Sequence, residues 1–262
     1  MQEQIKHSHG VFSWADLATP DPDAAKRFYG ELFALKSVDE SMGPEGTYTK
    51  LVRDGKEVAA LYRMLPEQQA HNMPAAWLPY VTVEDVDAVA AKVKPLGGTL
   101  VLPPLDAHDA GRMAVVRDPS GAHLGLWQAK RRCGAELMHV PGTLTWFELM
   151  STERDRAVEF LGALIGWAPQ PVDMGGTIYT LLMKGEVHMG GAMQLLPEWG
   201  PTPSHWLVYF AVDDCDAGAA RVQRLGGKIF KGPEDIPEVG RFAVCADPQG
   251  AVFAILKHVP RA

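Results

Sequence analysis

The sequence predicts an α+β fold of two tandem domains, each built from two βαβββ modules. The first observation behind this is an internal repeat: Trp14-Ala-Asp-Leu-Ala-Thr returns as Trp146-Phe-Glu-Leu-Met-Ser, 132 residues later. The match continues through Phe28 and Phe160, Tyr48 and Tyr179, Trp77 and Trp206, Gly97-Gly98 and Gly226-Gly227, and Gly111-Arg112 and Gly240-Arg241. It ends with Asp118-Pro-Ser-Gly-Ala and Asp247-Pro-Gln-Gly-Ala, where the offset has fallen to 129. A period this long describes a duplicated domain, not a solenoid of short repeats. The second observation is that apolar periodicity switches from two to 3.6 and back, twice within each copy. The third is length, since 262 residues with 47% hydrophobic content can fill two ordinary cores. The copies span 8–130 and 140–260, and the basic stretch from Lys130 to Gly134 breaks the periodicity as a solvated linker over 131–139.

Each element has a local reason. Residues 11–18 alternate as a strand, Asp21-Pro22 supplies an N-cap with proline at the first helical position, and Ala25, Phe28, Tyr29, Leu32 and Phe33 follow at helical spacing. A short strand fits Leu35 to Val38. Tyr48 to Val52 and Val58 to Met64 read as a hairpin around Arg53-Asp-Gly-Lys. The pattern then restarts with a strand over Leu78 to Val83, a helix capped by Asp85 with Val86, Val89, Ala90 and Val93 on one face, and a stop at Pro95 and Gly97-Gly98. Strands near Thr99 to Leu102, Arg112 to Arg117 and His123 to Gln128 complete the module. Pro103 to Gly111 and Pro233 to Gly240 read as loops that either lid a cavity or connect strands, and Met174-Gly-Gly reads as a flexible turn.

Charge and motif content narrow the function. Lys+Arg 25 against Asp+Glu 32 leaves −7, which repels nucleic-acid phosphates and anionic lipid. No run approaches the roughly 20 apolar residues of a bilayer crossing, and the N-terminus lacks a signal-peptide core, so a cytoplasmic protein is expected. Cys133, Cys215 and Cys245 are odd in number and far apart, as reduced thiols are. Dinucleotide, P-loop, zinc-protease and serine-hydrolase motifs do not occur.

Four βαβββ modules, with Phe28-Tyr29 on a first helix, late Gly-Gly pairs and Asp-Pro-x-Gly before each last strand, resemble the vicinal oxygen chelate superfamily of glyoxalases, bleomycin-resistance proteins and extradiol dioxygenases. The pairs Trp14 to Leu17 and Trp146 to Leu149, with Gly111-Arg112 and Gly240-Arg241, resemble its two-domain branch labelled glyoxalase-like or hydroxylase. The resemblance implies tandem glyoxalase/bleomycin-resistance domains whose four βαβββ modules form two half-barrel sheets around a divalent metal held by His, Glu or Gln. Carried onto this chain, those ligand positions fall on Trp14, Leu78, Gly125 and, to within a residue, Ala60. In the second copy they fall on Trp146, Leu207, Ala254 and Gly191. None of these side chains offers a nitrogen or oxygen lone pair to a cation. No metal and no cofactor is therefore expected; a divalent metal at another place is the alternative.

Strand parity names what lines the half-barrels instead. Phe12, Trp14, Asp16, Tyr80, His123 and Trp127 are expected inward in the first copy, and Leu144, Trp146, Glu148 and Tyr209 in the second. Arg112 and Arg241 are the expected partners of Asp16 and Glu148, since a buried carboxylate is costly unless paired. Phe12, Trp14, Trp127, Trp146, Glu148, Tyr209, Arg112 and Arg241 form the candidate ligand-binding set; the alternative for Trp14 and Trp146 is that the indoles fill space that a metal vacated. Asp16, Tyr80 and His123 are the candidate acid/base trio, because the second copy has Val252 where the first has His123; a structural histidine is the plainer reading. The expected function is binding of a small apolar or aromatic ligand by a monomer or homodimer. The alternatives are a lyase or oxygenase with a relocated metal or metal-free acid/base residues, and a protein that keeps a pocket in one domain only.

Overall fold

The computed structural model describes residues 7–43, 46–174 and 178–259; the glycines of the Met174-Gly-Gly turn lie outside them. Chain order is β1 (Phe12–Thr19), α1 (Pro22–Phe33), β2 (Lys36–Ser41), β3 (Thr47–Arg53), β4 (Lys56–Arg63), α2 (Pro66–Ala70), β5 (Ala76–Thr82), α3 (Val86–Val93), β6 (Thr99–Ala107), β7 (Gly111–Arg117) and β8 (His123–Ala129). The second copy repeats it as β9 (Leu144–Ser151), α4 (Arg154–Ile165), β10 (Ala168–Asp173), β11 (Ile178–Lys184), β12 (Val187–Gln194), β13 (His205–Ala211), α5 (Cys215–Arg224), β14 (Lys228–Ile236), β15 (Gly240–Ala246) and β16 (Val252–His258). Asp21 accepts from the Ala24 amide and Asp85 from the Ala88 amide, so both expected N-caps form. Helix α2 was not expected. Pro103 to Ala107 and Pro233 to Ile236 are not loops but the ends of edge strands β6 and β14, zipped onto β7 and β15.

Two open eight-stranded sheets result, ordered β2-β3-β4-β1-β5-β8-β7-β6 and β10-β11-β12-β9-β13-β16-β15-β14. The two modules of each copy therefore pair with each other, through antiparallel β1–β5 and β9–β13 contacts. One face of each sheet carries Ala15, Leu17, Leu61, Trp77, Val81, Leu124 and Leu126 or their equivalents, all buried against the helices.

Those helix-side faces share one core. Phe12 stacks on Phe147 at 4.1 Å between ring centroids, Phe33 stacks on Phe210 at 4.7 Å, and Trp77 meets Phe210 edge-on at 5.2 Å. Polar atoms inside it are paired across the copies. Tyr29 receives the Trp77 indole N–H at 3.0 Å and donates to Asp247 Oδ2 at 3.0 Å, and Trp167 donates to the Gly10 carbonyl at 2.7 Å. The opposite, inner faces of the two sheets lie outside this shared core; on the second, Leu207, Tyr209, Phe242, Ala254 and Leu256 form a separate cluster. Among the described residues no helix is long and apolar enough to cross a membrane.

Candidate functional site

Register places one carboxylate at the centre of each inner face. Asp16 stands across from Ala60 of β4 and Leu78 of β5, while Trp14 stands across from Tyr80, which is itself opposite Gly125 of β8. A Cβ at Gly125 would meet the Tyr80 ring at 2.1 Å, so the absence of a side chain lets the phenol lie on β8. Tyr48 of β3 closes the group. Its hydroxyl accepts the Trp14 indole N–H at 2.8 Å and donates to Asp16 Oδ2 at 3.2 Å. Tyr62 stacks beside Tyr48, with ring centroids 6.4 Å apart.

This surrounding sets the acidity of Asp16. The side chain is buried, 5% exposed, and burial pushes its pKa up to about 7 against the opposing pull of the Tyr48 and Tyr80 hydroxyls. Oδ1 is buried and has no hydrogen-bond partner. The phenols of Tyr48 and Tyr80 are themselves driven well above their ordinary range, first by burial and then by the carboxylate. The arrangement is a buried carboxyl walled by neutral phenols.

The second half-barrel repeats the wiring with different packing. Trp146 donates to the Tyr179 hydroxyl at 3.0 Å, and Tyr179 donates to Glu148 Oε2 at 2.9 Å. Burial raises the Glu148 pKa, opposed by Tyr179 and Tyr209. A Cβ at Gly191 would fall 1.8 Å from the Tyr179 oxygen, so glycine makes room for the phenol at this position. Here, however, Leu207, Tyr209, Phe242, Ala254 and Leu256 form a buried cluster with Trp146 and Met150 against it. Phe242 and Leu256 are buried where the first copy has half-exposed Met113 and Trp127, so the second inner face is the more fully packed of the two.

Several expected positions move. Phe12 was expected inward, but a β-bulge between Phe12 and Trp14 pairs it with Val81 and turns it onto Phe147, Trp167 and Trp206 in the shared core. Leu144 turns outward the same way through a bulge between Tyr209 and Phe210. Arg112 and Arg241 do not reach the carboxylates. Gly125 pairs with Val115, which makes Met113 and Val115 the inward residues of β7 and sends Arg112 to the helix side, where it forks onto Asp87 at 2.6 and 2.8 Å. Arg241 forks onto Asp216 at 2.7 and 2.9 Å.

Of the acid/base trio, Asp16 and Tyr80 are neighbours. His123, two residues before Gly125 on the same face, is instead governed by burial and Arg117, which lower its pKa against the opposing pull of Asp118. Trp127 faces inward at the rim and donates its indole N–H to the Arg132 carbonyl at 3.0 Å. Trp14, Trp146, Glu148 and Tyr209 lie inward as expected.

The sequence reading missed the phenols of Tyr48, Tyr62 and Tyr179. A signal existed, because Tyr48 and Tyr179 repeat at the internal offset on an alternating strand. It also missed a clasp from the linker: Arg132, partly exposed, forks onto Glu57 (2.7 and 3.0 Å) and Glu40 (3.0 and 3.1 Å), the two acids that Lys50 also holds.

The fold implies a divalent metal, and the side chains present do not fit one. The positions to which the resemblance assigns ligands carry Trp14, Ala60, Leu78 and Gly125, or Trp146, Gly191, Leu207 and Ala254. Among the described residues, no three His, Cys, Asp or Glu side chains gather closely enough to hold an ion. A lone carboxylate with one oxygen already bound to Tyr48 is a poor donor set for a cation that needs three or four protein ligands.

Comparison with known proteins places the chain. Residues 11–126 match the model of the Glyoxalase/Bleomycin resistance protein/Dioxygenase superfamily, and 146–256 match that of the Glyoxalase-like domain. It is 43% identical over 263 residues, 100% of both chains, to "Putative glyoxylase CFP32" of Mycobacterium tuberculosis. It is 36% identical over 258 residues, 95% of this chain and 93% of the relative, to the anthracycline biosynthesis protein DnrV of Streptomyces peucetius. Among solved structures, the Mn(II)-bound glyoxalase from Novosphingobium aromaticivorans matches with a TM-score of 0.67 at 20% identity, over 96% of this chain and 84% of that one. The 2,3-dioxygenase LapB from Pseudomonas sp. KL28 matches at 0.63 and 15%, over 98% and 95%. At these identities the structural matches speak to fold alone. The chain belongs to the glyoxalase/bleomycin resistance/dioxygenase superfamily, as a tandem of two such domains.

Proposed function

We propose that this protein is a cytoplasmic, metal-independent member of its superfamily that binds a flat apolar or aromatic small molecule on the inner face of the first half-barrel. The reading is supported by Trp14, Ala60, Leu78 and Gly125 standing where the family resemblance puts metal ligands, with phenols around a single buried carboxyl. Half-exposed aromatic rings with one polar group are the composition of an organic-ligand site. The relatives named for anthracycline biosynthesis support a flat aromatic guest, since anthracyclines are of that class. The packed cluster of the second half-barrel favours one site per chain.

The test is elemental analysis of purified protein together with titration by flat aromatic compounds, followed through tryptophan emission before and after chelation. Metal-free protein that binds one guest per chain, unchanged by chelator, is expected. Stoichiometric Ni, Zn, Fe or Mn in a half-barrel, or binding lost on chelation, would falsify the proposal.

A second reading is favoured by one observation, the Asp16 pKa of about 7, which suits a general acid/base at neutral pH. Asp16 would exchange a proton with the bound guest beside Tyr80. Turnover of a bound guest that disappears in Asp16→Asn while affinity persists supports catalysis; turnover that survives removes Asp16 from that role.

A further inference from the structure

We infer that the first half-barrel recognises its guest by a hydrogen-bond donor, a phenolic or enolic hydroxyl on a flat frame, presented to Oδ1 of Asp16; this rests on the binding reading above and names the guest's chemistry. The two carboxylate oxygens are not equivalent. Oδ2 holds the Tyr48 hydroxyl, whereas Oδ1 is buried and has no partner at hydrogen-bond geometry; the Tyr80 hydroxyl acts on the carboxyl without closing such a bond. An acceptor left without a donor in a buried place is a standing cost, and each such atom calls for an explanation.

The other unpaired carboxylate oxygen among the described residues, Oδ2 of Asp118, has a structural setting. It belongs to a turn whose Oδ1 collects the amides of Ser120, Gly121 and Ala122 and the Ser120 hydroxyl. Asp16 caps no turn. It stands mid-strand, at the centre of the inner face, beneath the half-exposed rings of Trp14, Tyr48 and Tyr62. Glu148, its counterpart, has no orphan oxygen among the described residues and lies under the packed cluster of the second copy.

Access to Oδ1 needs one wall to move, and Tyr62 is the one least held. Among the described residues its hydroxyl has one hydrogen-bond partner, the Gln68 amide at 3.4 Å on the short helix α2, whereas Tyr48 is bonded on both sides. A guest ring replacing the Tyr62 face against Tyr48 would keep the stacking and bring an edge hydroxyl toward the carboxylate. An ether or carbonyl edge would set lone pairs against Oδ1 and be rejected.

The experiment compares 2-naphthol with 2-methoxynaphthalene by equilibrium dialysis at pH 8, against wild type and Asp16→Asn. The methyl ether is the more apolar compound, so burial alone would favour it. Wild type is expected to bind the naphthol about tenfold more tightly or better, the scale of one hydrogen bond to a charged group. In Asp16→Asn the amide oxygen keeps Tyr48 and the amide N–H₂ takes the place of Oδ1, so the preference is expected to vanish or invert. A cooperative melt of the variant shows that it folds, and Asp16→Ala, which removes the acceptor altogether, is the second variant. Equal affinity of wild type for the two compounds overturns the inference while leaving the binding reading intact, as does an undiminished preference in folded Asp16→Asn and Asp16→Ala. Binding of neither compound to wild type overturns both.

Discussion

Tyr48 donates its hydroxyl to Oδ2 of Asp16 across 3.2 Å, from a strand two places away in the sheet, and Tyr179 does the same for Glu148 at 2.9 Å. In each copy an indole N–H donates into the same phenol. The bond is what makes a carboxyl tolerable at the centre of an aromatic face, and it offsets only part of the cost of burial.

The first prediction concerns pH. Burial raises the folded pKa of Asp16 to about 7 from an unfolded value of 3.8. Between these values the folded chain holds a proton that the unfolded chain has released. Its contribution to stability is complete below pH 4 and is lost as pH rises through 7, by roughly 4 kcal/mol at most. Asp16→Asn, which cannot ionise, is expected to melt above wild type at pH 8 by about 4 °C or more, with the gap closing toward pH 4. Parallel melting curves at every pH would refute the assignment.

Gly125 and Gly191 test whether phenols occupy the space beside these two strand positions. A methyl group at Gly125 meets the Tyr80 ring at 2.1 Å, and one at Gly191 meets the Tyr179 oxygen at 1.8 Å. Both rings are buried among neighbours that cannot retreat freely, so Gly125→Ala and Gly191→Ala are each expected to destabilise by about 1–3 kcal/mol. Urea unfolding checks this, and a neutral Gly125→Ala would mean that the Tyr80 ring does not lie on β8.

How much of this could be read from the chain depends on distance along it. The repeat, the N-caps at Asp21 and Asp85 and the inward placement of Trp14, Asp16 and Tyr80 follow from local spacing, and all are present in the structure. Phe12 was misplaced because one bulged residue, Ser13, reverses the parity on which the reading depended. Arg112 was misplaced because its face is set by the pairing of Val115 with Gly125 across two strands, which spacing does not reveal. Tyr48 and Arg132 were missed as members of the site because each reaches it from another strand or the linker, and tertiary proximity of that sort leaves no trace in periodicity.

Arg132 gives a third prediction. Its guanidinium joins Glu40 and Glu57, holding the linker beside Trp127 at the edge of the first half-barrel. The pairs are partly exposed, and Lys50 stays behind to hold both acids, so Arg132→Ala is expected to cost about 1 kcal/mol. The cost should shrink in 1 M salt, where exposed charge pairs are screened. A loss that does not respond to salt would show that packing of the arginine stem, not its charge, holds the linker.

The last prediction comes from the residue that the bulge turned around. Phe12 stacks on Phe147 at 4.1 Å and meets Trp167 and Trp206, both at 5.2 Å, so a first-strand residue of one copy is core for the other. Tandem domains joined only by a linker would unfold in two steps; domains that bury each other's aromatic rings unfold as one. Wild type is expected to show a single urea transition by tryptophan emission and by far-ultraviolet dichroism. Phe12→Ala leaves a cavity facing both sheets and is expected to cost about 3–5 kcal/mol. Because that loss falls on the shared core, the emission and dichroism midpoints of the variant should separate as the copies begin to unfold apart. Coincident midpoints with wild-type stability would mean that the two half-barrels do not depend on each other.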